Sequence, residues 1–232
     1  MRRLIFPLFF GLLGAAVLIA LGSWQVQRLH WKQGVLAEIE ARIHADPVAL
    51  PADPDPVRDR FLPVTVTGTI TPPTLRVLVS QKTVGAGYRL IDALETAQGR
   101  RILVDRGFVG LEIDPSAPPA GVVTVTGNLH WPDERDGFTP ENDRAANIWF
   151  ARDLGIMAQD LNTEPVLLIA RNTSFDDAPV SPLPVGTDGI PNDHFEYAVT
   201  WYGLAAVWLA MLGLFLWRIY KSTRNPHEGT KP

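Results

Sequence analysis

Two uncharged apolar runs constrain this chain more than any other feature. Leu4–Trp24 and Tyr197–Trp217 carry no Asp, Glu, Lys or Arg. As helices rising 1.5 Å per residue, runs of about 20 residues cover a hydrocarbon layer of about 30 Å. The expectation is two transmembrane helices, 4–24 and 192–217, near the two ends of the 232-residue sequence. Between them lies enough chain for one domain of ordinary size. A cleaved signal peptide ending near Ala20-Leu21-Gly22 is the rival reading of the first run. Its length exceeds a normal signal core, and Trp24 and Trp31 suit an interfacial belt, where an indole buries its face and wets its N–H. Arg2-Arg3 also invites a twin-arginine reading, which the flanking residues fit poorly.

Charge gives the orientation. Arg2 and Arg3 precede the first run, while Arg218, Lys221, Arg224 and Lys231 follow the second against Glu228. The intervening segment carries more carboxylates than basic groups. Basic tails prefer the cytoplasm, so residues 1–3 and 218–232 are read as cytoplasmic and the acidic middle as extracytoplasmic. A nucleic-acid partner would want a basic middle, so none is expected. Arg28 and Lys32 fall just outside the membrane, against the positive-inside tendency. They either snorkel from a helix end or face lipid phosphates or an anionic partner. The absence of cysteine removes disulfides, thiolate nucleophiles, thiolate metal ligands and covalent haem attachment.

Residues 25–60 read as a juxtamembrane helix and a linker. Leu29, Val35, Leu36, Ile39 and Ile43 continue near helical spacing over Arg28–His44, and Pro47, Pro51, Pro54 and Pro56 then interrupt. From Phe61 the period becomes two. Strands are predicted over Phe61–Ile70, Leu75–Val79, Tyr88–Ile91, Arg101–Val109, Val122–Leu129 and Pro165–Ala170. One helix is predicted over Phe150–Leu161, with Asp153 near its start, and Arg171–Asn192 reads as loop. The expected fold is therefore two transmembrane helices flanking a mainly-β domain, residues 61–191, built as an antiparallel barrel or sandwich.

No nucleophile elbow, zinc helix or phosphate loop is present. In the outer domain, His44 and His130 are the imidazoles outside the membrane collars of His30 and His194. His130 follows a predicted strand and reads as structural. Asp133, Glu134 and Asp136 form an acidic loop with nothing to fix a catalytic geometry. Gly85-Ala86-Gly87 is a turn before a strand, without phosphate-binding context. His194 is the sharper candidate. On a helix, Tyr197, Trp201 and Trp208 share a broad face with it, and Ala198 and Ala205 leave room. A neutral imidazole there can ligate a haem iron, with Arg28 or Lys32 meeting the propionates. The residues alone favour the other reading, in which His194 caps the helix or sits at the interface while the aromatics form a lipid belt.

Leu21-Gly-Ser-Trp-Gln-Val-Gln-Arg-Leu-His-Trp-Lys32 resembles the opening signature of the Surfeit-locus-one family of cytochrome c oxidase assembly factors. Asn192-Asp-His-Phe-Glu-Tyr-Ala-Val-Thr-Trp-Tyr-Gly203 resembles its closing signature. Gly85–Tyr88, Leu103–Val109, Pro140–Asp143 and Asn147–Trp149 resemble its middle blocks in the same order. Phe195 and Phe108 depart mildly, standing where leucine and tryptophan are usual. The resemblance implies a two-span membrane protein with its central domain in the periplasm, or in the mitochondrial intermembrane space, and the expected setting is a bacterial inner membrane. With no nucleophile–base set visible, no enzyme is expected. The resemblance also implies service to haem–copper oxidase, with haem a as cofactor and His194 as its iron ligand. The implied partners are the oxidase catalytic subunit, the haem a synthesis machinery and the lipid bilayer. The alternative is a scaffold that holds an oxidase subunit without haem.

Overall fold

A computed structural model describes residues 2–81, 85–113, 117–187 and 189–224. The elements follow in the order α1 (Arg2–Ile43), β1 (Val48–Ala49), β2 (Pro63–Gln81), β3 (Gly85–Thr96), β4 (Arg101–Gly110), β5 (Val122–His130), β6 (Ile148–Trp149), α2 (Leu154–Leu161), β7 (Glu164–Thr173) and α3 (His194–Arg224). They fall into two compact units. One holds most of α1 together with α3, and the other comprises Glu38–Thr187.

In the first unit, small residues set how the helices meet. An added Cβ would strike the Leu212 side chain from Gly11, and would lie 3.0 Å from Trp208 at Gly14 and 3.0 Å from Tyr202 at Gly22. Ala15, Ala198 and Ala205 are buried. Small side chains let two backbones approach closely, and polar groups then lock the pair. Trp208 Nε1 donates to the Gly11 carbonyl at 2.8 Å, and the Ser23 and Tyr202 hydroxyls lie 3.0 Å apart. Among the described residues, two helices are long and apolar enough to cross a membrane, Ile5–Ile43 and His194–Ser222. Only 17% and 6% of their most apolar stretches is buried, unlike a core helix of a soluble protein.

The second unit is a mixed sheet. β2 pairs antiparallel with β5 over Pro63–Thr69 and with β3 over Gly68–Gln81. β3 pairs antiparallel with β4, and β5 with β7. β4 and β7 run parallel. The expected all-antiparallel barrel or sandwich is therefore corrected to a mixed sheet. The physical reason is the long connection from β5 through α2, which returns the chain into β7 in the direction of β4. The parallel pair is buried on both faces and shows no alternation, as such strands do. Ile102, Val104, Val166, Leu168 and Ala170 pack on one side with Val64, Val66, Val125 and Leu129. Leu103, Leu167 and Ile169 pack on the other with Leu154, Met157 and Leu161 of α2.

Local chemistry explains the remaining boundaries. The two strands expected at 61–70 and 75–79 are one long strand, β2, with a register shift between Thr71 and Leu75 that absorbs Pro72-Pro73. α2 starts later than expected, at Leu154, because Asp153 is its N-cap and accepts from the Ile156 N–H. The proline-rich segment is not a bare linker. β1 pairs with β2, and Asp55 Oδ1 accepts from the N–H groups of Val57 and Arg58 at 2.9 and 2.6 Å. Asn128 in β5 is fully buried, and its Nδ2 donates to the carbonyls of Ile43 and Phe61 at 2.9 and 3.0 Å.

Candidate functional site

His194 is the first residue of α3. Its Nδ1 lies 2.8 Å from Oε1 of Gln25 on α1. An amide oxygen only accepts, so with Gln25 in this orientation the neutral ring carries its proton on Nδ1 and its lone pair on Nε2. Gln25 is 9% exposed, and its place is fixed by the close approach of the helices around it. A hydrogen bond on one imidazole nitrogen that frees the other is the usual support of a metal-ligating histidine. Tyr197 and Trp201 follow one and two helical turns after His194; Tyr197 is exposed and Trp201 half-buried. Arg28 and Lys32 lie one and two turns beyond Gln25 on α1, at spacings that keep them on its stripe. Arg28 is exposed with its guanidinium 4.2 Å over the Trp31 ring, and Lys32 is half-buried. Among the described residues, no hydrogen bond or ion pair joins Arg28, Lys32, Tyr197 or Trp201 to His194.

Further along the same pair of helices is an apolar groove of about 740 Å³, bordered by Phe10, Leu13, Val17, Leu204, Trp208 and Met211. Among the described residues, no group of three or more His, Asp or Glu side chains is arranged to hold an ion. Were a haem iron held here, the His194 imidazole would be the side chain to hold it.

The remaining histidines and acids have structural surroundings. The His130 ring stacks on Phe61 at 5.4 Å. Burial, with help from the Arg152 and Arg60 charges, lowers its pKa to about 4. His44 pairs with Glu40 at 2.9 Å, one turn away on α1. Burial pushes the Glu134 carboxyl up, but hydrogen bonds and charge from Arg152 outweigh it and hold it below the usual range. Asp136 accepts from the Phe138 N–H at 2.9 Å, which lowers its pKa, and Asp133 is exposed. Gly85 opens β3 at φ +89°, and an added Cβ at Gly87 would collide with the Val109 carbonyl and the Phe108 ring.

Sequence reading missed the charged interior of the sheet. Arg106 is the extra residue of a bulge, since Leu90 pairs with Gly107 and Ile91 with Asp105. The bulge turns its side chain inward. There it donates to Asp92 at 2.8 Å and to Asp177 at 2.6 Å, with no exposure of its own. Asp105, also fully buried, bonds Arg89 and the Gly107 N–H, and lies 3.6 Å from Arg152, which holds Glu134. Gly107 sits at φ +132°, and an added Cβ would collide with the Ser181 carbonyl. The one legible trace was Asp105-Arg106-Gly107 inside an otherwise apolar strand. Gln25 was missed as well, because nothing in isolation marks a glutamine facing a histidine 169 positions away.

These observations define a class first: a mixed-sheet domain flanked in sequence by two long apolar helices that bring a polar glutamine to a helix-initial histidine. The chain belongs to the SURF1 family, whose model matches residues 12–206. It is 35% identical over 210 residues to Surfeit locus protein 1 of Homo sapiens, covering 80% of this chain and 69% of that one. It is 34% identical over 212 residues to the Xenopus tropicalis protein of the same name, covering 81% and 68%. Against the SURF1-like protein of Monosiga brevicollis it is 31% identical over 230 residues, covering 88% and 85%.

Proposed function

We propose that this chain is a membrane-anchored assembly factor for haem–copper cytochrome c oxidase that holds haem a through His194 and assists its insertion into the catalytic subunit. Family membership supports the oxidase role. The 2.8 Å contact between Gln25 Oε1 and His194 Nδ1 carries the haem reading, since in the neutral ring it leaves the lone pair on Nε2. Gln25 fixes the imidazole in one tautomer and one ring orientation, so an arriving metal meets a ready donor. Arg28 and Lys32 supply positive charge on the Gln25 stripe, suited to carboxylates. Tyr197 and Trp201 supply flat apolar surface on the His194 side. Haem a, when bound, supplies the redox iron that the finished oxidase uses. α1 and α3 are the two spans, with basic tails in the cytoplasm of a bacterium and the acidic sheet domain in the periplasm. The haem a synthesis machinery is the expected donor and the catalytic subunit the recipient.

The test is the absorption spectrum of the protein purified from cells that make haem a. Wild type is expected to carry a haem band, and His194→Ala to lose it. An unchanged spectrum removes His194 from the role. The acidic balance of the sheet domain favours a second reading, a scaffold that grips an oxidase subunit without haem. Co-purification with that subunit from a haem-free preparation, in cells rich in haem a, distinguishes it.

A further inference from the structure

β2 is left incomplete along one edge. β6 pairs with it only at Arg76↔Ile148 and Val77↔Trp149. Beyond that point Leu78, Val79 and Ser80 still pair with Tyr88, Gly87 and Ala86 of β3. Among the described residues, no strand takes up their opposite edge where β6 stops. An edge of unpaired N–H and C=O groups is a template for another strand.

A groove of about 380 Å³ lies against this end of β2, lined by Leu78, Val79, Ser80, Ala86 of β3, Phe138 and Phe150. Phe138 is 96% exposed. Its loop is nonetheless tied down. Asp136 Oδ1 accepts from the Phe138 N–H and from the Thr139 hydroxyl, each at 2.9 Å, and Thr139 Oγ1 accepts from the Asp136 N–H at 2.9 Å. A large aromatic ring held out by an ordered loop beside an open strand has the form of an interface anchor, since little ordering remains to be done on binding. The rim is acidic. Asp136 borders the groove, and Asp133, Glu141 and Asp143 are exposed on the segments that flank it, whereas Arg135 pairs with Glu141 and Asp153, Arg144 with Asp160, and Arg152 with Glu134.

We propose that Leu78–Ser80 and Phe138 form a docking slot for an extended, apolar, lysine- or arginine-flanked segment of a partner protein, which adds to the sheet as a short strand. The open edge asks for backbone hydrogen bonds, which lipid tails cannot give. The acidic rim repels anionic headgroups, and it would repel the same rim on a second copy of this chain. The slot is independent of haem binding.

The probe is a capped synthetic hexapeptide alternating valine with lysine, labelled and titrated against the full-length protein in nanodiscs. Saturable binding is expected. It weakens about tenfold or more with Phe138→Ala, whose side chain is exposed and not needed for folding. N-methylation of alternate peptide amides, or glutamate in place of lysine, should weaken it at least as much. Four results overturn the proposal: no binding at millimolar peptide, equal binding by Phe138→Ala, equal binding of the N-methylated peptide, or a self-associated chain that the peptide does not displace.

Discussion

Gln25 contributes one hydrogen bond, yet it decides which nitrogen of His194 is available. Free imidazole samples both neutral forms, and the amide oxygen selects one. In the haem-free protein, nitrogen NMR should therefore show His194 protonated at Nδ1, and Gln25→Ala should give a mixture. Failure to change would mean that the 2.8 Å contact does not control the ring. His130 makes the opposite kind of prediction. Its pKa is lowered to about 4 in the folded chain against an ordinary 6.5. The unfolded chain then binds the extra proton more readily between those values. This contribution to stability is present above pH 6.5 and is lost as pH falls toward 4. Urea unfolding of the full chain in detergent should show that acid loss, and His130→Gln should flatten it relative to wild type.

At the scale of elements, the bulge in β4 and the close helix pair dominate. Arg106→Met would remove the cation that pairs with buried Asp92 and half-buried Asp177. Breaking a buried pair in this way costs about 3–5 kcal/mol, so a large fall in the urea midpoint is expected. Adding Asp92→Asn to Arg106→Met should recover part of it. The helix pair can be tested through the absence of cysteine. A flexible bis-maleimide should join Ser23→Cys to Tyr202→Cys within one chain, since a tyrosine-length contact sets the backbones further apart than a disulfide requires, and Gly14→Leu should lower the yield by pushing Trp208 away. The positions of most strands were legible because alternation over Phe61–Ile70 and Val122–Leu129 reports one buried face. The parallel pairing of β4 with β7 was not, because periodicity says which residues are inside but not which strand lies beside which. Leu167 and Leu168 face opposite sides of the sheet, and no local pattern reveals that both sides are covered. His194 was legible as a polar head on an apolar helix. The partner that orients it belongs to the other long helix, and pairwise contacts at that separation leave no trace in a single sequence.

For the whole molecule, charge and hydropathy give the strongest expectation. Protease added to intact spheroplasts should cut within 45–60 or 171–191, while inverted vesicles should expose only the tails. The reverse pattern would place the acidic domain in the cytoplasm and remove the proposed route to a periplasm-facing oxidase site. Distant parts of the chain also depend on single atoms. The Asn128 amide nitrogen satisfies two carbonyl oxygens, one of them 85 residues earlier at the close of α1. Asn128→Asp would exchange this nitrogen for oxygen at nearly constant shape. Two attractions would become two repulsions, so the variant is expected to come unfastened first where the sheet grips the end of its first helix.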